Sequence, residues 1–416
     1  MKPRARSSNR LSRQQLADTV PIPVKAGSGS RSLRLKRVRE EPRRHLPWPV
    51  IALFIAWALP WRVLVGGLAI SPYRIVLIIM ILPCLGLWLS GRAGRIRVAD
   101  IAVLCFCLWG ALSLLVLNGG SAAIQSGGIL FVETMGAYLL ARCYIRNADD
   151  FRGLARLLFW IVALLLPFAI IEAISGRDVG LALFSSILPS HPVTTNIPRW
   201  GLRRVQTIFE HPILMGVCCS SILALTHLVL GEGKPLARRW TRSLIVVLTA
   251  ALSLSSGPWS AIVVQSGLMG WNWSLGSIRA RWKILIGLVV AMLVLIQLFA
   301  KRPLPNILFS SFAFDADSAF FRLLIWNYGT ESVGNHPLFG VGLGEWDRPF
   351  WMGPSIDMFW LYNAITYGLP GGLLMLLAFL SIILPIGFRD LPDGKLYQYR
   401  AAFLIALTSL FLVGWM

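Results

Sequence analysis

Charged side chains are scarce in this chain: they make up 14% of its 416 residues, against roughly 25% in soluble domains. With 56% of positions hydrophobic, that shortage excludes an ordinary water-exposed domain and leaves the membrane class. Carboxylates and histidines are few as well, 19 and 5, and no cluster of them has divalent-metal spacing, so the sequence offers no metal motif. The six cysteines (Cys84, Cys105, Cys107, Cys143, Cys218, Cys219) fall in or beside apolar runs. Without zinc spacing or neighbouring histidines they read as small buried hydrophobes. Alternation is also missing. Runs such as KILIGLVVAMLVLIQLFA (283–300) are continuous, which excludes a β-barrel, because lipid admits only helices or closed barrels. The expected fold is all-α: a polytopic integral-membrane helical bundle.

Eleven spans fit the apolar runs, near 49–70, 73–90, 99–117, 123–141, 157–175, 211–230, 243–256, 258–275, 283–300, 356–387 and 401–416. The break LSSGPWS (254–260) reads as a tight hairpin or a partly unwound helix. Pro370 and the glycines of YGLPGG (367–372) are expected to bend or split the tenth span. Two domains are expected: a basic, disordered tail over 1–47 and a transmembrane unit over 48–416. No cleavable signal peptide is read, because the polar leader is too long for one.

The net charge of +21 raises the question of nucleic acid, but its placement argues against that. Of the 40 Lys and Arg, 30 lie in the tail 1–47 and in short loops at 91–98, 142–156, 232–242, 277–283 and 389–400. Helix pairs separate these segments, so all share one side, which the positive-inside rule makes cytoplasmic. The tail is then expected to touch anionic lipid headgroups, with no nucleic-acid partner. Parity places two long loops, 176–210 and 301–355, on the outer face. Loops of such length tend to be functional. Inside the second, SAFFRLLIWNYGTESVG (318–334) reads as an amphipathic helix with Phe320, Leu323, Leu324 and Trp326 toward the membrane.

The outer loops hold the candidate site residues. Arg203, Arg204 and Arg322 stand beside apolar runs, where a guanidinium fork could grip a phosphate bidentately; snorkelling to ordinary phospholipid explains them equally well. His211 and His336 precede prolines, in FEHPILMG and GNHPLFG. Pro212 and Pro337 suit a first helical turn, so both motifs also read as helix starts with Glu210 and Asn335 helping to cap. Asp357, at the mouth of the tenth span, is a base or an N-cap. Arg62, Glu133 and Glu172 are intramembrane charges, functional by default, with an ion pair involving Arg62 the plainer reading. GVGLGEW (340–346) lacks a nucleotide fold after it.

At these residues the chain resembles the O-antigen ligase and Wzy-type polymerase superfamily. RRVQTIFEHPILMG (203–216), FRLLIWNYGTESVGNHPLFGVGLGEW (321–346) and DMFWLYNAITYGLPGG (357–372) carry the likeness, which covers most of the chain after residue 48. The resemblance implies transfer of a glycan from an undecaprenyl-pyrophosphate carrier to a hydroxyl of lipid A core or of another polysaccharide, without a metal or other cofactor. It implies a bacterial inner-membrane location, membrane lipids as partners, and possible association with other polysaccharide-assembly proteins. Arg204 and Arg322, with Arg203, would hold the pyrophosphate; Asp357, His211 or Glu210 would act as base, with His336 secondary. Two departures stand out. Thr207 occupies the place of the family's usual Gly, and Asp357-Met358 the place of its His-Asn. A glycolipid transporter and a non-catalytic export subunit are the competing readings.

Overall fold

The computed structural model describes residues 45–65, 68–194, 198–278, 280–312, 316–389, 391 and 394–416. The basic tail lies outside the described residues up to position 44. Among the described residues nearly all regular structure is helical; the strands are one antiparallel pair, Val63–Val65 with Leu68–Ile70. Seven helical runs are long and apolar enough to cross a membrane: Pro72–Leu89, Val98–Tyr144, Ala148–Ser175, Pro212–Leu230, Arg281–Phe299, Phe359–Phe388 and Gly394–Val413. These fit a multi-pass membrane protein. Arg281–Phe299 shows the point physically, because its only buried residue is Arg281. A helix apolar all round with its side chains outside the core needs lipid or a partner against it.

The runs do not coincide with the eleven expected spans. The first expected span, 49–70, holds only the ten-residue helix Trp48–Trp57 before the strand pair begins. Ten residues reach about 15 Å, half the hydrocarbon core. The expected third and fourth spans form one run of 47 residues, Val98–Tyr144. Straight, it would extend about 70 Å. It folds back instead at Gly119 (φ 82°, ψ 178°), so that a Cβ on Gly127 would lie 3.1 Å from Ala111. The expected seventh and eighth spans are the helices Leu236–Ala251 and Ser256–Ser274, which fall short of the other runs in length or apolarity.

The run Phe359–Phe388 turns back in the same way at Gly368 (φ 74°, ψ 177°), two residues before the expected Pro370. A Cβ on Gly372 would lie 3.0 Å from the Ala364 Cβ, so the two arms pack face to face. The break strips Ile365, Thr366 and Tyr367 of helical partners for their carbonyls, which inside a bundle must be replaced. The segment 337–344 and Trp109 replace them. Val341 N donates to Ile365 O (2.9 Å), Gly342 N to Thr366 O (3.0 Å), and Leu369 N to Pro337 O (2.8 Å). Trp109 Nε1 donates to Tyr367 O (2.9 Å) and its ring stacks on Phe339 at 5.5 Å. The same segment reaches the other break: Leu343 N donates to Asn118 Oδ1 (3.0 Å). PLFGVGLG is therefore a backbone splint between two broken helices.

The late loop contributes the helices Leu304–Phe312 and Ala316–Asn335. The second is the expected amphipathic helix, but three of the four apolar residues expected toward the membrane turn to the protein instead. Phe320 and Phe321 are exposed, whereas Leu323, Leu324 and Trp326 pack on a small core of Phe309, Ile325, Val333, Met358, Leu361 and Ile365. That core seats the helix against the arm starting at Phe359, and thereby fixes Arg322.

The three charges read as intramembrane each have a partner, although Arg62 lies outside the apolar helical runs. Arg62 faces Glu210 at 3.6 Å, Glu133 faces Arg74 at 2.6 Å, and Glu172 faces Arg203 at 3.5 Å.

Candidate functional site

Construction of the site begins at Glu172, which is 1% exposed near the end of the helix Ala148–Ser175. Its carboxylate accepts from Gln206 N and Thr207 N, both at 3.0 Å. This anchors a loop in which Thr207 adopts φ 51°. That left-handed backbone suits glycine and costs a residue with Cβ roughly 1–2 kcal/mol. The anchored loop turns its two arginines apart. Arg203 goes to Glu172 and to Gly176 O (2.7 Å), while Arg204 donates from Nη2 to Ser255 Oγ (2.8 Å).

Two other arginines reach the same turn from distant parts of the chain. Arg199 Nη1 donates to Leu254 O at 2.8 Å, and Arg322 Nη2 to Ser256 Oγ at 2.6 Å. Three guanidinium groups thus meet on the three consecutive residues 254–256, the break between the helices Leu236–Ala251 and Ser256–Ser274. Arg322 Nε also donates to the Met416 main-chain oxygen (2.8 Å). All three arginines line one cavity of about 1040 Å³.

Helix geometry adds to the positive field. The helices beginning at Pro212, Ser256, Ala316 and Phe359 all present first-turn residues to this cavity. Each helix start carries N–H groups without an intrahelical partner and about half a positive charge. The acidic side chains of the lining are Asp317 and Asp357. Asp357 is exposed, and its Oδ1 accepts from Ser355 Oγ at 2.7 Å. The lining also includes apolar and aromatic side chains, among them Trp360, Phe379, Leu410 and Phe411.

His211 also lines the cavity. It is the N-cap of Pro212–Ser221, where its own ring, and not Glu210, accepts from Ile213 N (Nδ1, 3.2 Å). Burial holds this imidazole below its usual range, and the Arg204 charge adds to the effect; Asp357 and Glu210 pull the other way.

The sequence-derived site set divides accordingly. Arg204, Arg322, His211 and Asp357 share the cavity. Arg203 is a structural tie to Glu172. Glu210 lies outside the lining, exposed and facing Arg62 and His191 (4.0 Å). His336 is not a helix start: the helix ends at Asn335, because the chain must turn there to enter the glycine splint, and the ring sits 3.5 Å from Asp347. Arg199, Asp317, Ser255 and Ser256 enter the site without having been singled out. The signal for the serines was the LSSG break itself, which reads as a simple turn until its hydroxyls are seen meeting arginines. Among the described residues no group of three or more His, Cys, Asp or Glu is placed to hold a metal ion.

Glu172→Ala is expected to unseat the loop. Two buried N–H groups lose their acceptor, each at about 1–3 kcal/mol. The thermal midpoint of the purified protein should fall, and Glu172→Gln, which keeps one carbonyl oxygen, should fall less.

No protein-family model matches the chain, and no curated protein matches it.

Proposed function

We propose that this chain is a membrane glycan transferase of the O-antigen ligase or Wzy polymerase kind, acting on an undecaprenyl-pyrophosphate-linked glycan. The reading also takes it to cross a bacterial inner membrane about eleven times, with residues 1–47 cytoplasmic and both long loops periplasmic. The observation that carries the proposal is the convergence of Arg199, Arg204 and Arg322 on residues 254–256 in a cavity lined by both charged and apolar side chains. Such a cavity suits a ligand with a dianionic head and a hydrocarbon tail. The acceptor is a hydroxyl of lipid A core or of another polysaccharide.

The reaction is a single displacement. The acceptor oxygen bonds to the anomeric carbon as the bond to the pyrophosphate oxygen breaks, and the electron pair leaves on the diphosphate. Fixed guanidinium groups and helix N-termini in a poorly hydrated cavity stabilise that developing charge without reorganising, an effect worth several kcal/mol. The hydroxyl proton passes to a polar group of the cavity, for which Asp357 and His211 are the candidates singled out from sequence.

A strain lacking this chain tests transfer against transport. Carrier-linked glycan should accumulate on the outer leaflet. Accumulation on the inner leaflet would mean that the chain moves the glycolipid instead of consuming it.

A further inference from the structure

His211 occupies a position in which its cap decides its chemistry. Pro212 at the first helical position has no N–H, so the first donor in need of a partner is Ile213 N, and it points at His211 Nδ1 from 3.2 Å. A ring nitrogen that accepts a hydrogen bond carries no proton. In a neutral imidazole the proton must then sit on Nε2. The alternative tautomer would set Nδ1–H against Ile213 N–H, donor facing donor, and the doubly protonated ring would do the same beside Arg204. The ring lines the cavity, and Nε2 is the nitrogen left for a ligand.

We infer that His211 acts as a neutral hydrogen-bond donor, its Nε2–H joining Arg204 and Arg322 in holding the anionic leaving group, and that the proton acceptor of the cavity is a carboxylate, Asp357 or Asp317. The inference rests on the transferase reading above and assigns roles within it. Nε2–H serves the pyrophosphate without adding net charge, and it does so on a helix whose N-terminus already faces the ligand. A base at this position would have to discard the cap to free its lone pair; a carboxylate in the same cavity has its lone pairs available.

The test uses the purified full chain in nanodiscs, with inorganic pyrophosphate as calorimetric probe and a lipid-linked glycan for turnover. His211→Ser keeps the cap, since serine is a strong N-cap, and removes the donor. It should bind pyrophosphate about tenfold more weakly than wild type, the usual scale for one charge-assisted hydrogen bond, at an unchanged thermal midpoint. His211→Asn caps through its oxygen and still offers an N–H. It should recover most of the affinity that His211→Ser loses, and turnover with it, although asparagine cannot accept a proton as a general base does in steps worth 10²–10⁴-fold. His211→Ser binding like wild type, while Arg204→Ala binds weakly, would reduce the ring to a cap and overturn the inference alone. Loss of turnover in His211→Asn with binding intact would make His211 the base and overturn it too. Pyrophosphate affinity indifferent to Arg204→Ala would remove the site reading and this inference together.

Discussion

Arg322→Ala is expected to lower glycan transfer by at least about 100-fold, the scale of removing one preorganised charge donor from a transition state. Arg204→Ala should do the same. Each guanidinium is held by a serine hydroxyl, Arg204 on Ser255 and Arg322 on Ser256, so its plane is set before substrate arrives and no reordering is needed during reaction. Lysine should not rescue either position, because a single ammonium cannot reproduce a planar fork with two parallel donors. Arg203→Ala supplies the contrast. That side chain turns away to Glu172 and Gly176, so its loss should show first in thermal stability, with transfer falling less than in the other two. The readout is carrier-linked glycan consumed and product formed by purified variants of matched folding. Full transfer by both Arg204→Ala and Arg322→Ala would remove the anion-pocket reading.

The second large effect is on folding. Gly340→Ala is expected to prevent recovery of a stable protein. Its φ is +70°, and an added Cβ would press on Ile365 O and lie 2.6 Å from Gly368 N. Both neighbours are backbone in a broken helix that cannot retreat without losing the hydrogen bonds from Val341, Gly342 and Leu369. The left-handed conformation alone costs about 1–2 kcal/mol, and backbone overlap in a packed core adds a further 1–3 kcal/mol or more. The sum is a large share of the 5–15 kcal/mol that folded proteins possess. Gly353→Ala is the control, with open space around it. Monodisperse yield in detergent and the thermal midpoint read the difference: Gly340→Ala should aggregate, Gly353→Ala should behave as wild type.

Legibility in the sequence varied with the kind of interaction. Helices in lipid are dictated by backbone satisfaction, so apolar runs located most of them; the glycines of 367–372 marked one fold-back, while Gly119 at the other was not singled out. The glycine-rich segment 337–344 was visible as a signature, but its work as a splint was not, because the carbonyls it serves belong to residues 365 and 366, a partner set that no local spacing encodes. The first expected span is helical only to Trp57 for a related reason. Trp61 forms a bridge with Ser190, and Arg62 N donates to Pro189 O, so residues after Trp57 leave the helix for tertiary partners. At the site, the sequence placed Arg204 and Arg322 in separate outer loops. That adjacent Arg203 and Arg204 diverge follows from the buried carboxylate of Glu172, 31 positions before Arg203. Arg199, Ser255 and Ser256 carry no distinguishing chemistry until the three loops are brought together.

One reconstitution bears on the proposal most directly. Wild-type chain alone, in liposomes with an undecaprenyl-pyrophosphate-linked glycan and a hydroxyl acceptor, should free one carrier diphosphate for each glycan joined and invert the anomeric configuration. Movement of the intact glycolipid between leaflets, with no carrier freed, would contradict it.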